Sequence, residues 1–201
     1  IKLSGDVRLR AQVDKFAEGN ANNIYIDYQE ANEEGSSSGS VLHNTTVDRN
    51  RLRARVRLGL DAKITNDFDA KIRLATGSGT DPVSTNKTMG SYGNKYSILF
   101  DRAYLKYTNL DVNDYPWLTF YGGRMKSPFL STDLVWDSDL AFDGIATTFR
   151  YNLSGSDNLF DMDDRRKTIY LTAGVFPLDE VEISSDDKWL FGMQLGGKYI
   201  S

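Results

Sequence analysis

Arg51, Arg53, Arg55 and Arg57 stand at every second position of one segment. A guanidinium group stays charged at physiological pH and binds carboxylates and phosphates through a fixed fork of N–H donors. Four such groups on one side of a chain would form a strip of positive potential that attracts anions. The alternative is a solvated face whose charges are neutralised by acids in nearby loops. Both interpretations require that all four side chains point the same way.

Residues suited to covalent or metal chemistry are few in this chain. It has no cysteine and one histidine, His43, which lies in a serine-rich stretch without a nucleophile or carboxylate held on a regular element. The run that starts at Asp137 weakly resembles a calcium-binding loop, but Ala141 occupies its fifth position and no glutamate occupies its twelfth. We therefore predict no catalytic residue, no metal and no organic cofactor, and a chain that is not an enzyme.

The four arginines belong to an unbroken alternation of apolar and polar residues over 50–64. A strand with this pattern carries its apolar side chains on one face and its charges on the other, whereas a helix would scatter the arginines around its axis. The segment is much longer than the usual soluble strand of roughly 5 or 6 residues. It is long enough to cross a bilayer at a tilt, which takes about 9 to 11 residues.

Seven further segments repeat this two-faced pattern, so the sequence predicts eight strands in all. They are 2–13, 50–64, 68–74, 102–107, 117–125, 145–151, 169–175 and 188–199. The frame of 117–125 stays open, because aromatic side chains stand on both of its faces and Arg124 could lie on either.

The connections between these strands differ in length. Thr65 and Asn66 leave room only for a tight turn, while 14–49 is a long polar stretch with a serine-rich centre. Outer-membrane barrels have short periplasmic turns and long extracellular loops. We therefore expect one end of the strands to carry the long connections 14–49, 78–97, 126–142 and 177–187. The other end would carry the Thr65 turn, 110–116 and 153–166, the last of which is long for a turn.

A soluble β-sandwich would show the same alternation, with its apolar face towards a core. Strand length, loop asymmetry and aromatic residues near strand ends favour instead an all-β, antiparallel up-and-down transmembrane β-barrel. The absence of cysteine suits a chain that crosses an oxidising compartment. No apolar run approaches the roughly 20 residues of a membrane-spanning helix. The net charge of −4 offers no basic face for nucleic acid, and we predict no such partner.

The charged face of the predicted strands would line the interior of the barrel, and its basic residues far outnumber its acidic ones. An eight-stranded barrel is filled by its own side chains, so unpaired cations there would cost several kcal/mol each. We therefore expect residues 1–201 to be a single barrel domain from the N-terminal part of a longer chain, with a wider, hydrated lumen. The predicted pore-lining basic residues are Arg8, Arg10, Arg51, Arg53, Arg55, Arg57, Lys71, Arg73 and Lys106.

The connection 126–142 combines acidic and aromatic residues, which is unusual for a loop exposed wholly to the medium. We predict that it leaves the barrel wall and folds inward. Its acids Asp133, Asp137 and Asp139 would then face the arginines across the pore. The resulting transverse field would order water and dipolar solutes and disfavour apolar ones.

Several segments resemble the putative porins of Gram-negative bacteria. They are 49–60, 72–77, 103–107 and, the most specific of them, 122–137, and the resemblance extends over roughly 1–173. The resemblance implies a barrel of around sixteen strands, often trimeric in related general porins, whose third extracellular loop narrows the lumen. The long loop 14–49 and the acidic segment 157–164 depart from the family pattern and receive no role from it.

These observations together predict a water-filled channel in the bacterial outer membrane for passive diffusion of small hydrophilic solutes and ions, with a mild preference for anions. Lipid and lipopolysaccharide would surround it, and a homotrimer is expected. The alternative is a barrel that acts as an adhesin or docks a partner through its long loops. Conductance across a planar bilayer would separate the two.

Overall fold

The computed structural model describes residues 1–21, 26–27, 42–112, 114–132, 134–153, 167–180, 182 and 187–199. The regular structure in these ranges consists of nine β-strands. They are β1 (Lys2–Asp14), β2 (Arg49–Lys63), β3 (Phe68–Ala75), β4 (Lys87–Thr88), β5 (Leu99–Leu110), β6 (Pro116–Lys126), β7 (Ala141–Asn152), β8 (Lys167–Asp179) and β9 (Lys188–Tyr199). No helix long and apolar enough to cross a membrane occurs in these described ranges.

The strands form one antiparallel sheet in the order β1-β2-β3-β5-β6-β7-β8-β9, and β4 pairs with β2 outside this path. The eight long strands are therefore neighbours in the sheet in the order in which they follow one another along the chain, as an up-and-down topology requires. The all-β antiparallel class predicted from the alternation is confirmed. Within the described residues β1 and β9 stand at the two ends of the order, so the sheet is open.

The short strand β4 is the main departure from the eight predicted strands. The chain leaves the sheet after Ala75 and returns to the same edge of β2 at Lys87–Thr88. Thr76 fixes the start of this excursion, because its hydroxyl accepts a hydrogen bond from the backbone N–H of Val56 at 3.0 Å and donates one to the carbonyl of Thr85 at 2.9 Å. Residues 76–86, which we call the excursion, therefore begin and end next to β2, the strand that carries the four alternating arginines.

The turn predicted at Thr65 is present. Its hydroxyl accepts the backbone N–H of Phe68 at 3.2 Å, and the N–H of Ile64 donates to the carbonyl of Phe68 at 2.8 Å. The two strands are thus joined within four residues, 64–67. The acidic segment 157–164 and most of the long connection 153–166 lie outside the described residues.

The chain divides into two compact units, which are treated separately below. The first unit comprises Ile1–Leu3, Gly59–Arg73 and Asp101–Ser201. The second unit comprises Ser4–Leu58 and Leu74–Phe100. The boundaries pass through strands, so the division does not follow the predicted loops.

The buried apolar residues of the first unit form one cluster near the ends of β6, β7 and β8. Met125, Phe129, Phe142, Ala146 and Phe176 are its members, and Phe176 is fully buried. The rings of Phe142 and Phe176 lie 4.7 Å apart. Buried residues in the described part of the second unit are limited to Ala54, Ala75, Thr76 and Gly77. Packing in the second unit therefore depends mainly on strand pairing and polar contacts.

Candidate functional site

The apolar side chains of the long strands are the exposed ones. On β2, Leu52 and Leu58 are 60% and 53% exposed, while the side chains of Arg55 and Arg57 between them are only 14% and 20% exposed. In the first unit the same reversal shows on β9, where alternate residues are exposed hydrophobics. They are Trp189, Phe191, Met193 and Leu195. A continuous exposed face of large hydrophobic side chains is unusual for a protein stable in water and marks a surface that contacts another apolar surface.

We call the side of each unit that carries these hydrophobics its apolar face and the opposite side its polar face. On the polar face of the second unit, Asp6 of β1 lies between two arginines of β2. Its two carboxylate oxygens each accept one arginine, Arg55 at 2.7 Å and Arg57 at 2.7 Å. One acid thus partly neutralises two cations, which lowers the cost of their proximity.

A second series of hydrogen bonds links the end of β1 to β2 on the same face. Arg10 donates to Gln12 at 2.8 Å, Gln12 donates to Asp14 at 2.8 Å, and Asp14 also accepts Arg51 at 2.5 Å. Arg8 instead donates to the side-chain oxygen of Asn86 at 2.6 Å, on the excursion that precedes β4. The acids and amides that bind these arginines therefore belong to β1 and to residues 76–86.

Arg53 differs from its neighbours on β2. It has no ion pair within the described residues, and its Nε is buried without a hydrogen-bond partner there. The charges acting on it are mostly repulsive, from Arg10, Arg49 and Arg51, and Asp81 supplies the attraction. Of the four alternating arginines 51, 53, 55 and 57, Arg53 is therefore the one without an ion pair among the described residues.

The remaining predicted basic residues lie on the polar face of the first unit. Lys71 pairs with Asp61 at 3.0 Å, and Arg73 forms an ion pair with Asp101. Lys106 is half-buried on β5, opposite Tyr121 of β6. Asp101, which the sequence alone did not single out, is the carboxylate that holds Arg73.

The connection 127–140 lies over the polar face of β7, β8 and β9. The ring of Phe129 packs edge-on against Phe142 and Phe176, with ring centres 6.2 and 6.0 Å away. The backbone of Leu130 makes two hydrogen bonds with the amide of Gln194 on β9, N–H to Oε1 at 2.7 Å and O from Nε2 at 3.3 Å. Residues 127–140 therefore leave the strands and lie against the polar face of the sheet, and their folding into a pore lumen stays a prediction.

A glycine on β9 makes room for the ring. A β-carbon on Gly192 would lie 2.6 Å from the Cζ atom of Phe129, well inside van der Waals contact. The ring therefore rests on bare backbone. The stacked indole of Trp136, 6.0 Å from the same ring, covers its other side.

The three acids predicted to face the arginines have different surroundings. Asp139 is partly buried and its charge attracts Arg102 of β5. Asp137 is exposed, and its carboxylate accepts the backbone N–H of Asp139 at 2.7 Å. Asp133 lies outside the described residues. A field between these acids and the arginines of β2 stays a prediction.

The open frame of 117–125 is resolved by strand register. Arg124 pairs across the sheet with Asp143 and with Ala103, which places it on the apolar face. Its Nη1 contacts the Asp143 carboxylate at 2.6 Å, and its Nε donates to the carbonyl of Asp101 at 3.1 Å. Asp143 and Arg124 therefore form an ion pair on the apolar face.

Within the described residues, no group of three histidine, cysteine or acidic side chains is arranged to hold a metal ion. His43 is exposed and its Nδ1 lies 3.3 Å from a carboxylate oxygen of Asp27.

The protein is thus an antiparallel β-sheet protein with a hydrophobic exposed face and an ion-paired polar face. The family model described as "Putative porin" matches residues 1–201, so the chain belongs to that family. Membership implies a channel rather than an enzyme. No curated protein matches the chain, and no solved structure matches it.

Proposed function

We propose that the chain forms part of the transmembrane β-barrel of a bacterial outer-membrane porin. Its function is passive diffusion of small hydrophilic solutes and ions through a water-filled lumen. The observation that carries this proposal is the reversed burial of β2, with exposed Leu52 and Leu58 and half-buried Arg55 and Arg57. Family membership over the whole chain supports it.

Physical chemistry explains why this arrangement suits a lipid-embedded barrel. Contact with lipid removes the apolar face from water, which is favourable by about 25 cal/mol for each Å². The ion-paired arginines lie on the opposite face of the sheet, which would border the water of the lumen. Free edges on β1 and β9 would leave backbone groups unsatisfied in lipid, which favours closure of the sheet into a barrel. We propose a closed barrel of around sixteen strands, assembled as a homotrimer and surrounded by outer-membrane lipid and lipopolysaccharide.

Planar lipid bilayers test the proposal directly. The full-length protein, folded in detergent and added to one side of a bilayer, is expected to produce discrete, stable steps of current in potassium chloride. The same preparation after heat denaturation serves as the control. Bilayers that stay silent with folded protein would contradict the porin function.

The arginines of β2 are expected to give the channel a mild anion preference. The screening length at about 0.15 M salt is roughly 8 Å, so wall charges act well into an aqueous lumen. Replacing Arg53 and Arg55 by alanine should shift the reversal potential in a salt gradient towards cation selectivity. Asp6 keeps Arg57 as a partner in this variant, so folding should be nearly unaffected.

The matched control replaces Lys126 and Lys188 by alanine, because this double variant removes two positive charges from exposed strand ends. Its reversal potential should stay close to that of the unmodified protein. Equal shifts in both double variants, or cation selectivity before any substitution, would show that the arginines of β2 do not set the selectivity.

A further inference from the structure

A polar cavity of about 1060 Å³ lies within the second unit. The end of β1, the start of β2 and residues 86–91 around β4 form most of its wall. The excursion 76–86 creates this space, because it returns the chain to β2 beside Arg53. The cavity is therefore a product of the interrupted strand that the sequence did not predict.

The charged side chains of the cavity are mainly basic. Among the described residues that line it, five are basic and two are acidic, a formal balance of +3. The basic ones are Lys15, Arg49, Arg51, Arg53 and Lys87, and the acidic ones are Asp14 and Asp27.

Both acids already have a partner. Asp14 accepts Arg51 at 2.5 Å, and Asp27 lies 3.3 Å from the ring of His43. Lys15 has its own partner outside the cavity, Asp48 at 2.6 Å. Lys87 is the cross-strand partner of Ala54, so its side chain lies on the opposite face of the sheet from Arg53. Two cations of the cavity on the polar face, those of Arg49 and Arg53, remain without an ion pair in the described part of the chain.

A neutral donor, the hydroxyl of Thr88, stands beside Arg53. Thr88 is the cross-strand partner of Arg53, so its hydroxyl lies on the same side of the sheet. The Nε of Arg53 is buried with no hydrogen-bond partner among the described residues. Buried donors in folded proteins are nearly always satisfied, which indicates that a ligand or water supplies the acceptor here.

We infer that this cavity binds a tetrahedral divalent oxyanion of the phosphate class, either free phosphate or the terminal group of a small phosphate ester. Two negative charges match the two polar-face cations of the cavity that have no ion pair among the described residues, Arg49 and Arg53, whereas a monovalent carboxylate would neutralise only one of them. Guanidinium forks match the spacing of phosphate oxygens. The inference rests on the proposed function in taking the ligand to be a permeating solute.

Calorimetric titration of inorganic phosphate into the full-length protein in detergent micelles tests binding without requiring a channel. Saturable binding is expected, and Arg53→Gln should weaken it about tenfold or more, because a charge-assisted contact is lost. Arg53→Lys keeps the charge and should weaken binding less. Arg49→Gln probes the same cavity from the start of β2, should folding of the Arg53 variants be impaired.

Arg150→Gln is the matched control, since Arg150 lies on the polar face of the first unit and donates to Thr119. Its phosphate affinity should be unchanged. Glucose 6-phosphate in place of phosphate tells a site for esters from one for the free ion alone, and acetate should not compete. Absence of saturable phosphate binding, or equal losses in the Arg53 and Arg150 variants, would overturn the inference.

Chloride current in bilayers separates this inference from the porin function. Phosphate should reduce the current of the unmodified channel in a saturable way and reduce that of Arg53→Gln less. A channel that conducts but neither binds phosphate nor is blocked by it would remove the site and leave the porin function intact. Silent bilayers would contradict the porin function, while the calorimetric result would still decide the site.

Discussion

Replacing Gly144 by alanine is expected to prevent the full-length protein from folding in detergent micelles. Gly144 has a φ of +142°, a conformation that costs a residue with a side chain about 1–3 kcal/mol. A β-carbon there would also lie 2.3 Å from the carbonyl oxygen of Val175 on β8. Both atoms belong to paired backbones, so β7 and β8 would have to separate. Circular dichroism and urea titration measure the outcome.

Two other glycines separate conformational strain from steric overlap. Gly90 has a φ of +103° but no described atom near its would-be β-carbon, and Gly79 has neither feature. Gly79→Ala should leave the urea midpoint unchanged, and Gly90→Ala should cost about 1 kcal/mol. A Gly144 variant with the midpoint of the Gly79 variant would show that the close approach of β7 and β8 is not required.

Replacing Phe129 by alanine is expected to release 127–140 from the sheet and to raise single-channel conductance. The ring is 6% exposed and contacts Trp136, Phe142 and Phe176. Removing a buried ring of this kind costs about 3–5 kcal/mol. The hydrogen bonds of Leu130 are exposed, and each such bond contributes only about 0.5–1.5 kcal/mol, so they cannot hold the segment alone.

Two measurements follow the segment separately. Trypsin cleavage after Lys126 reports release, and conductance reports narrowing of the lumen. Leu134→Ala is the control, because this side chain belongs to the same segment and is 95% exposed. Equal trypsin resistance of the two variants would show that Phe129 does not anchor the segment. Release without a rise in conductance would show that the segment does not narrow the channel.

The eight long strands could be predicted because each repeats a local pattern over many residues. On β2 the alternation places Leu52 and Arg53 on opposite faces whatever the rest of the chain does. Strand β4 has two residues and no periodic pattern, so only its pairing with β2 identifies it. Its position depends on Thr76, whose hydrogen bonds to Val56 and Thr85 exist only after β2 and β3 have paired.

The ion-pair partner of a charged residue was harder to predict from the sequence than the face of the sheet on which that residue lies. The alternation indicates that Asp6 and Arg55 share a face, but not that Asp6 lies between Arg55 and Arg57. That detail depends on the register of β1 against β2, and a change of register would bring different side chains together. The same reason left the face of Arg124 open until its pairing with Asp143 was known.

The contact between Phe129 and Gly192 has an evolutionary consequence. A side chain at 192 cannot be accommodated while the ring is present, and loss of the ring leaves bare backbone under an empty space. We expect either substitution alone to destabilise this contact, and each to make the other more tolerable. The two positions therefore form a pair with strong epistasis, although they lie far apart in the sequence. Remodelling of 127–140 in this lineage must proceed together with changes in the last described strand.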